Sequence, residues 1–236
     1  MITSETPIVS PLAIRSGRGL GMPRDARETR DRLVRTAGRL FAERGIENVS
    51  LREINREAGQ KNATALQYHF SGREGLLRGV LARHYEHVEA TRHRMLDEIE
   101  AAPGPIGLRR FADALVAPAA ELLGDPDGGR EYLRIMAELV NRADPRFVEA
   151  TLDDPKSSTN RWRLAVAPLL PELSVDRLHR RFTAIRIMFG ELARRAAGSR
   201  RRDDRLFNSH LVDLVEAILA SPPSAETAAL LADRKR

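Results

Sequence analysis

The chain has 236 residues, 42% of them hydrophobic and 31% charged, which suits one sizeable domain or a small domain joined to a larger one. It contains no cysteine, excluding disulfides and thiolate metal sites, and no apolar run near the ~18–20 residues that span a bilayer; with no signal-peptide core at its start it reads as a cytoplasmic protein without a membrane partner. Net charge is +6 and the sequence pI about 10.4, with every basic residue an arginine except Lys61, Lys156 and Lys235, a surplus that calls for an anionic partner, nucleic acid first, or reflects arginine-rich coding without a focused patch.

Residues 1–24 have no helical period and carry prolines, glycines and Arg15, Arg18 and Arg24, as a flexible basic arm does. Helices then follow one another, with no alternating strand and no repeat, so the fold class is all-α. The first is predicted from Asp25 to Arg44, with Leu33, Ala37, Leu40 and Phe41 on one face and Gly45 in a left-handed cap. SLRE opens the second: Ser50 caps the amide of Glu53, and Glu53 reaches back to Ser50. Leu51, Ile54 and Ala58 line its buried face before Gly59 stops it. After GQKNATALQYHF, a short third helix, SGRE repeats the capping pattern from Ser71 to Glu74. It launches a long fourth helix with Leu77, Leu81, Tyr85, Val88, Met95 and Ile99 inward. The short Gly-led turn between helices two and three is a helix-turn-helix signature.

Further helices carry Phe111, Leu115, Leu122 and Leu123, with Pro118 kinking them, then Tyr132 to Val140, then Trp162 to Leu170. Near the end, Val175, Leu178, Phe182, Ile185, Phe189, Leu192 and Ala196 alternate steps of three and four, and Phe207, Leu211, Leu214 and Ile218 continue the rhythm. Such spacing favours helices crossing at about +20°, either within one monomer or across a homodimer's isologous four-helix interface. The dimer is the reading preferred here, with Leu178, Phe182, Ile185, Phe189, Leu192, Leu211, Leu214 and Ile218 at the interface. Gly190, Ala193 and Ala197 form a neighbouring stripe of small residues.

The segment TRDRLVRTAGRLFAERGIENVSLREINREAGQKNATALQYHFSGREGLL resembles the DNA-binding domain of the TetR family of transcriptional regulators. The likeness rests on FAERG at the end of helix one, Ser50 at a Thr-like cap, the I-x-x-x-A-G exit of helix two, His69-Phe70, and the basic-Glu-x-Leu start of helix four. It covers roughly residues 26–80; beyond that only the all-helical pattern matches. The resemblance implies a helix-turn-helix domain at 25–80, a helical effector-binding and dimerisation domain at 81–221 and a C-terminal tail at 222–236. It further implies a homodimer that binds a double-stranded operator and is released from it by a small molecule. The family's A-G-V-S-x-G-T-L-Y-x-H-F is one residue shorter than AGQKNATALQYHF. Held from Phe70, the register puts Gln67 where relatives show tyrosine and the extra residue in the turn.

With Leu66 and Phe70 inward at 100° per residue, Thr64 and Tyr68 point outward, Lys61 shares their side, Gln67 flanks it and His69 turns partly inward. Gln pairs bidentately with adenine, Lys reaches guanine or phosphate, a Thr methyl meets thymine, and Tyr offers stacking and a hydroxyl. Asn62 either joins them or caps helix three. Ser50, Arg52 and Arg73 stand at helix starts, where side chains hold phosphates; Ser50 also serves as a cap alone, and His69 as packing against Phe70.

For an effector, Phe111, Tyr132, Met136, Trp162 and Met188 suit a cavity lining and equally an ordinary core, and Asn141 and Arg142 stand ready to orient a ligand. His84, His87 and His93 raise a metal reading, but no HExxH and no thiolate accompanies them; no metal, cofactor or catalytic residue is expected. No Gly-rich phosphate loop or G-x-S-x-G is present, so the chain reads as no enzyme. The rivals to a ligand-responsive repressor are a DNA-organising protein without an effector and a helical metal-dependent enzyme. If the register is right, Gln67→Ala costs roughly 1–3 kcal/mol at one operator position and relaxes its base preference, while Lys61→Ala weakens all sequences evenly and flattens the salt slope by about one unit. Titration of both variants on selected and scrambled DNA reads the two effects separately.

Overall fold

The computed structural model describes residues 23–60, 65–142, 154–170, 174–200 and 203–233, and for 65–67 and 174–179 the backbone alone. Lys61, Asn62, Thr64, residues 1–22 of the arm, and the side chains of Leu66, Gln67 and Leu178 therefore lie outside the described residues. No strand occurs among the described residues, and no described helix is long and apolar enough to cross a membrane.

Three helices form the N-terminal head: α1 (Arg24–Arg44), α2 (Leu51–Glu57) and α3 (Ala65–Phe70). Leu33, Ala37, Leu40 and Phe41 are buried on one face of α1, as their spacing requires. Gly45 takes φ +91° after it and donates its amide to the Phe41 carbonyl at 2.9 Å. Ser50 Oγ accepts the Glu53 amide at 3.1 Å, but Glu53 does not return the bond. Its carboxylate is drawn instead to the guanidinium of Arg44, a charged partner that outcompetes a backbone amide.

The long helix α4 (Arg73–Glu100) starts differently from the expected Ser71–Glu74 box. The chain reverses from α3 into α4 within two residues, Ser71 at φ +53° and Gly72 at φ +109°. That puts Gly72, which has no hydroxyl, at the cap position, and no side chain caps the helix. The inner face is also rotated. Leu81, Val88 and Ile99 are buried as expected, but Leu76, Val80, His84 and Leu96 occupy the deep positions, while Leu77, Tyr85 and Met95 are half-buried shoulders. The reason is that α4 packs against the head at one end and the larger helical layer at the other, so its buried stripe turns along its length.

That layer comprises α5 (Leu108–Ala120), continued by a 3₁₀ turn over Glu121–Leu123, α6 (Gly129–Val140), and α7 (Ser158–Val166) with a 3₁₀ turn over Ala167–Leu169. It is completed by α8 (Ser174–Ala197) and α9 (Arg205–Ala220). α5 runs through Pro118 and tightens only three residues later. Within the C-terminal 222–236 stretch, α10 (Ala225–Asp233) forms with none of its residues buried. Buried apolar residues of head and layer join one continuous cluster, from Leu33 and Phe70 through Leu96 and Phe111 to Trp162, Met188 and Leu211.

Among the polar groups buried in this core is a guanidinium. Arg92 is 3% exposed and ties three helices together. Its Nε donates to the Ala114 carbonyl at 3.2 Å, and Nη1 donates to Ser158 Oγ at 2.9 Å and Thr159 Oγ1 at 3.1 Å. Glu89 faces it at 3.5 Å and accepts the Ser158 amide and hydroxyl, each at 2.7 Å. Burial pushes the Arg92 pKa down, and Glu89 opposes that shift. Removing one partner of such a pair strands the other charge. Arg92→Ala is therefore expected to lose about 3–5 kcal/mol in urea unfolding. Arg92→Met with Glu89→Gln should recover part of that loss, and equal losses in the single and double variants would contradict the account.

Candidate nucleic-acid interface

The turn out of α2 is closed by backbone bonds from Gly59 N to the Arg56 carbonyl at 3.0 Å and from Gln60 N to the Asn55 carbonyl at 2.9 Å. Gly59 stands at φ +68° with open space around it, so conformation and not crowding requires glycine there. α3 follows with six residues. Tyr68 is 79% exposed, His69 half-buried and Phe70 buried, which is the outward and inward order read from the register.

Phe70 is seated in a notch of α4 that exists because two residues there lack side chains. A Cβ at Gly79 would come within 2.9 Å of the Phe70 ring, and one at Gly75 would overlap the Phe70 carbonyl oxygen. The Arg30 guanidinium covers the ring at 5.1 Å from its centroid. His69 packs at 6.1 Å from Phe70 and meets Tyr68 edge-on at 5.1 Å. Burial and the nearby Arg30 charge both push the His69 pKa down, which favours the neutral ring, and its Nδ1 makes no hydrogen bond. Sequence reading identified Phe70 as the anchor and missed Gly75 and Gly79. Their four-residue spacing on α4 was the available signal.

Charge is sorted around this helix. Arg39 bridges Glu57 at 2.6 Å and Glu43 at 3.1 Å, which lowers the Glu57 pKa, and Arg44 holds Glu53. The acids of the α1–α2 side are thereby neutralised from within. Arg52 is exposed and engaged by no group among the described residues, and Arg56, 3.9 Å from Glu53, extends into solvent. Ser50 is exposed while its hydroxyl serves the cap. Arg73 is partly buried, and its Nη1 donates to the Ile46 carbonyl at 2.5 Å, which makes it a brace of the α1–α2 turn as well as a cation at the foot of α3.

The effector candidates divide. Phe111, Trp162 and Met188 are buried core, with the indole nitrogen of Trp162 donating to the Phe111 carbonyl at 2.8 Å. Met136 packs at the core's edge, and Asn141 lies exposed with its amide donating to the Ala137 carbonyl at 2.8 Å. Tyr132 alone of the six lines a described cavity, one of about 310 Å³ between α1, α4 and α6 walled also by Val34, Val80 and His84. Burial pushes the His84 pKa down against the pull of Asp125 at 3.4 Å, and its ring lies 5.6 Å from that of Tyr132. His87 pairs with Glu121 at 2.9 Å and His93 bonds the Lys156 carbonyl at 3.3 Å, so the three histidines serve different neighbours. Among the described residues no group of three His, Asp or Glu is placed to hold a metal.

Of the candidates for the dimer interface, Ile185, Phe189, Leu192 and Leu211 are buried within the single chain. Phe182 and Ile218 are half-buried and Leu214 exposed. Exposed apolar residues on α8 and α9 include Ile187, Leu214 and the 86% exposed Leu206, and an added Cβ at Gly190 would meet open space.

Comparison with known proteins places residues 33–80 under the family model described as bacterial regulatory proteins, tetR family. None of the curated proteins compared matches the chain. Among solved structures, the chain is similar to NalD, the secondary repressor of the MexAB-OprM multidrug efflux pump in Pseudomonas aeruginosa, with TM-score 0.51 and 17% identity over 85% of this chain and 100% of that one. It is also similar to a TetR-family transcriptional regulator from Pectobacterium atrosepticum, with TM-score 0.40 and 22% identity over 86% of this chain and 100% of that one. At these identities the likeness to NalD concerns the fold.

The notch under Phe70 gives a direct test. Gly75→Ala is expected to cost about 3 kcal/mol, because a backbone oxygen cannot move aside as a side chain does. Gly59→Asn should cost well under 1 kcal/mol, since Asn tolerates positive φ. Thermal melts of the two variants side by side would refute the notch if the order came out reversed.

Proposed function

We propose, for a chain whose residues 33–80 belong to the tetR family of bacterial regulatory proteins, that it is a ligand-responsive DNA-binding transcriptional regulator acting as a repressor. The observation that carries this reading is the asymmetry of α3: one end is locked into α4 by Phe70, while Tyr68 projects into solvent. A six-residue helix with so little to bury is stabilised by its seat and completed by a partner. In a major groove, Tyr68 and Gln67 meet base edges, and Arg52 and Arg56 meet the phosphates on either side. His69, whose neutral form its surroundings favour, meets Tyr68 edge-on and fixes its direction.

A homodimer formed through the outward face of α8 and α9 would present two such heads to a palindromic operator. Half-sites would then be centred about 34–36 Å apart or slightly more. A small molecule in the larger helical layer would release the DNA by changing the separation of the heads, as fits a fold shared with a protein named as a repressor. The cavity beside Tyr132 and His84 adjoins both halves and is one place for it. The closed packing of Phe111, Trp162 and Met188 favours the rival reading of a DNA-binding protein without an effector.

Selection of bound fragments from a genomic DNA pool, followed by footprinting, tests the proposal. The expected result is a palindromic site whose affinity falls with salt at a log–log slope of about −0.9 per phosphate contacted. A compound that raises the melting temperature should also release that site. Absence of any enriched fragment would sink the regulator, and tight operator binding indifferent to every stabilising compound would favour the rival.

A further inference from the structure

The α1–α2 turn of the head contains a buried amide with no acceptor of its own. Ile46 is 1% exposed, follows the positive-φ Gly45, and lies beyond the last hydrogen bond of α1. A buried amide left without a partner is costly, so its acceptor carries weight. That acceptor is the carboxylate of Glu138, ninety-two residues further along, in the last turn of α6. Both oxygens reach the Ile46 nitrogen, at 3.0 and 3.2 Å, in a charge-assisted bond. The carbonyl of the same residue receives Arg73 from the start of α4 at 2.5 Å. Ile46 is thus gripped from both sides, once by the larger layer and once by the linking helix.

A second contact runs beside the first. Arg142, just past the end of α6, bridges Glu138 and Glu47, each at 3.1 Å. The end of α6 is in turn held by α8, where Arg186 donates to the Val140 carbonyl at 3.2 Å while its guanidinium lies 4.2 Å from the Phe182 ring. A continuous line of polar contacts therefore runs from α8 through the end of α6 to the turn four residues ahead of the α2 cap.

We propose that Glu138 and Arg142 are positioning residues for DNA reading: they hold the α1–α2 turn through Ile46 and Glu47, so that the placement of α6 sets where α3 points. The proposal rests on the reading of the head as a DNA-binding domain. Hydrogen bonds at 3.0–3.2 Å fail within a few tenths of an ångström, so a shift of α6 of about 1 Å releases the turn outright instead of bending it. The α1–α6 packing and the Glu138 bond act together: the first keeps the two halves apposed, and the second gives the apposition a direction.

Amide hydrogen exchange on the full chain without DNA tests the latch. Glu138→Ala is expected to speed exchange over residues 45–50 about tenfold, while α7 and α9 stay within about twofold of wild type. Glu138→Gln retains a carbonyl acceptor and should restore most of the protection. On DNA fragments selected by the wild-type chain, Glu138→Ala should bind about fivefold or more weakly and accept a wider range of half-site separations, which a loss of stability alone would not produce. Wild-type exchange over 45–50 in Glu138→Ala, or faster exchange spread evenly over α7 and α9 with unchanged spacing preference, would overturn the proposal. Should Glu138→Ala not fold, Arg142→Ala, which removes the bridge to Glu47 and Glu138, carries the same measurements, and wild-type protection and spacing in it would be equally decisive. If the wild-type chain selects no DNA, the functional reading fails, and the exchange over 45–50 still decides the latch.

Discussion

The seat of Phe70 is the contact on which the head depends. α3 is too short to persist by its own hydrogen bonds, since a helix of this length does not overcome its nucleation cost in water. It is held because its last residue enters a gap between Val34, Gly75 and Gly79, with Arg30 closing the open side. Everything the head presents outward follows from that fit. Tyr68 points to solvent because Phe70 points to the core two positions on, and the Ser71–Gly72 reversal carries the chain into α4 without disturbing either.

Charge placement follows a similar economy. The head is rich in arginine, yet Arg39 and Arg44 are committed to Glu43, Glu53 and Glu57, and Arg30 to an aromatic ring. Arg52 and Arg56 on α2 remain toward solvent. In the larger layer, Arg92 is buried among the helices it joins, and Arg186 reaches the end of α6. Arginine serves as a brace in both halves, through Arg39, Arg44 and Arg73 in the head and Arg92 and Arg186 beyond it.

Much of the fold was legible because helices announce themselves locally. The limits of α1, the Ser50 cap, the Gly45 and Gly59 stops and the inward set of Leu33, Ala37, Leu40 and Phe41 each involve residues within a few positions of one another. The errors occurred where a local pattern had a stronger distant competitor. Glu53 fits a capping box, but Arg44 from α1 takes its carboxylate. SGRE fits one too, but the two-residue reversal into α4 moves the cap to Gly72. On α4, the inner face was set from Leu77, Tyr85 and Met95, whereas packing against several helices brought Leu76, His84 and Leu96 inward. At the C-terminal helices, the 3-4 rhythm identified a seam without saying whether it faces this chain or another, and Ile185, Phe189, Leu192 and Leu211 face this one.

Periodicity and capping chemistry by themselves established an all-helical chain, a helix-turn-helix head near its start, and an outward Tyr68 beside an inward Phe70. These depend on side-chain order along a helix, which is written residue by residue. Tertiary structure alone decided that α4 leaves a notch for Phe70, that Arg92 joins α4 to α5 and α7, and that the Ile46 amide finds its acceptor on α6. Each satisfies a buried group with a partner from a remote segment, and a linear pattern does not record which remote segment arrives.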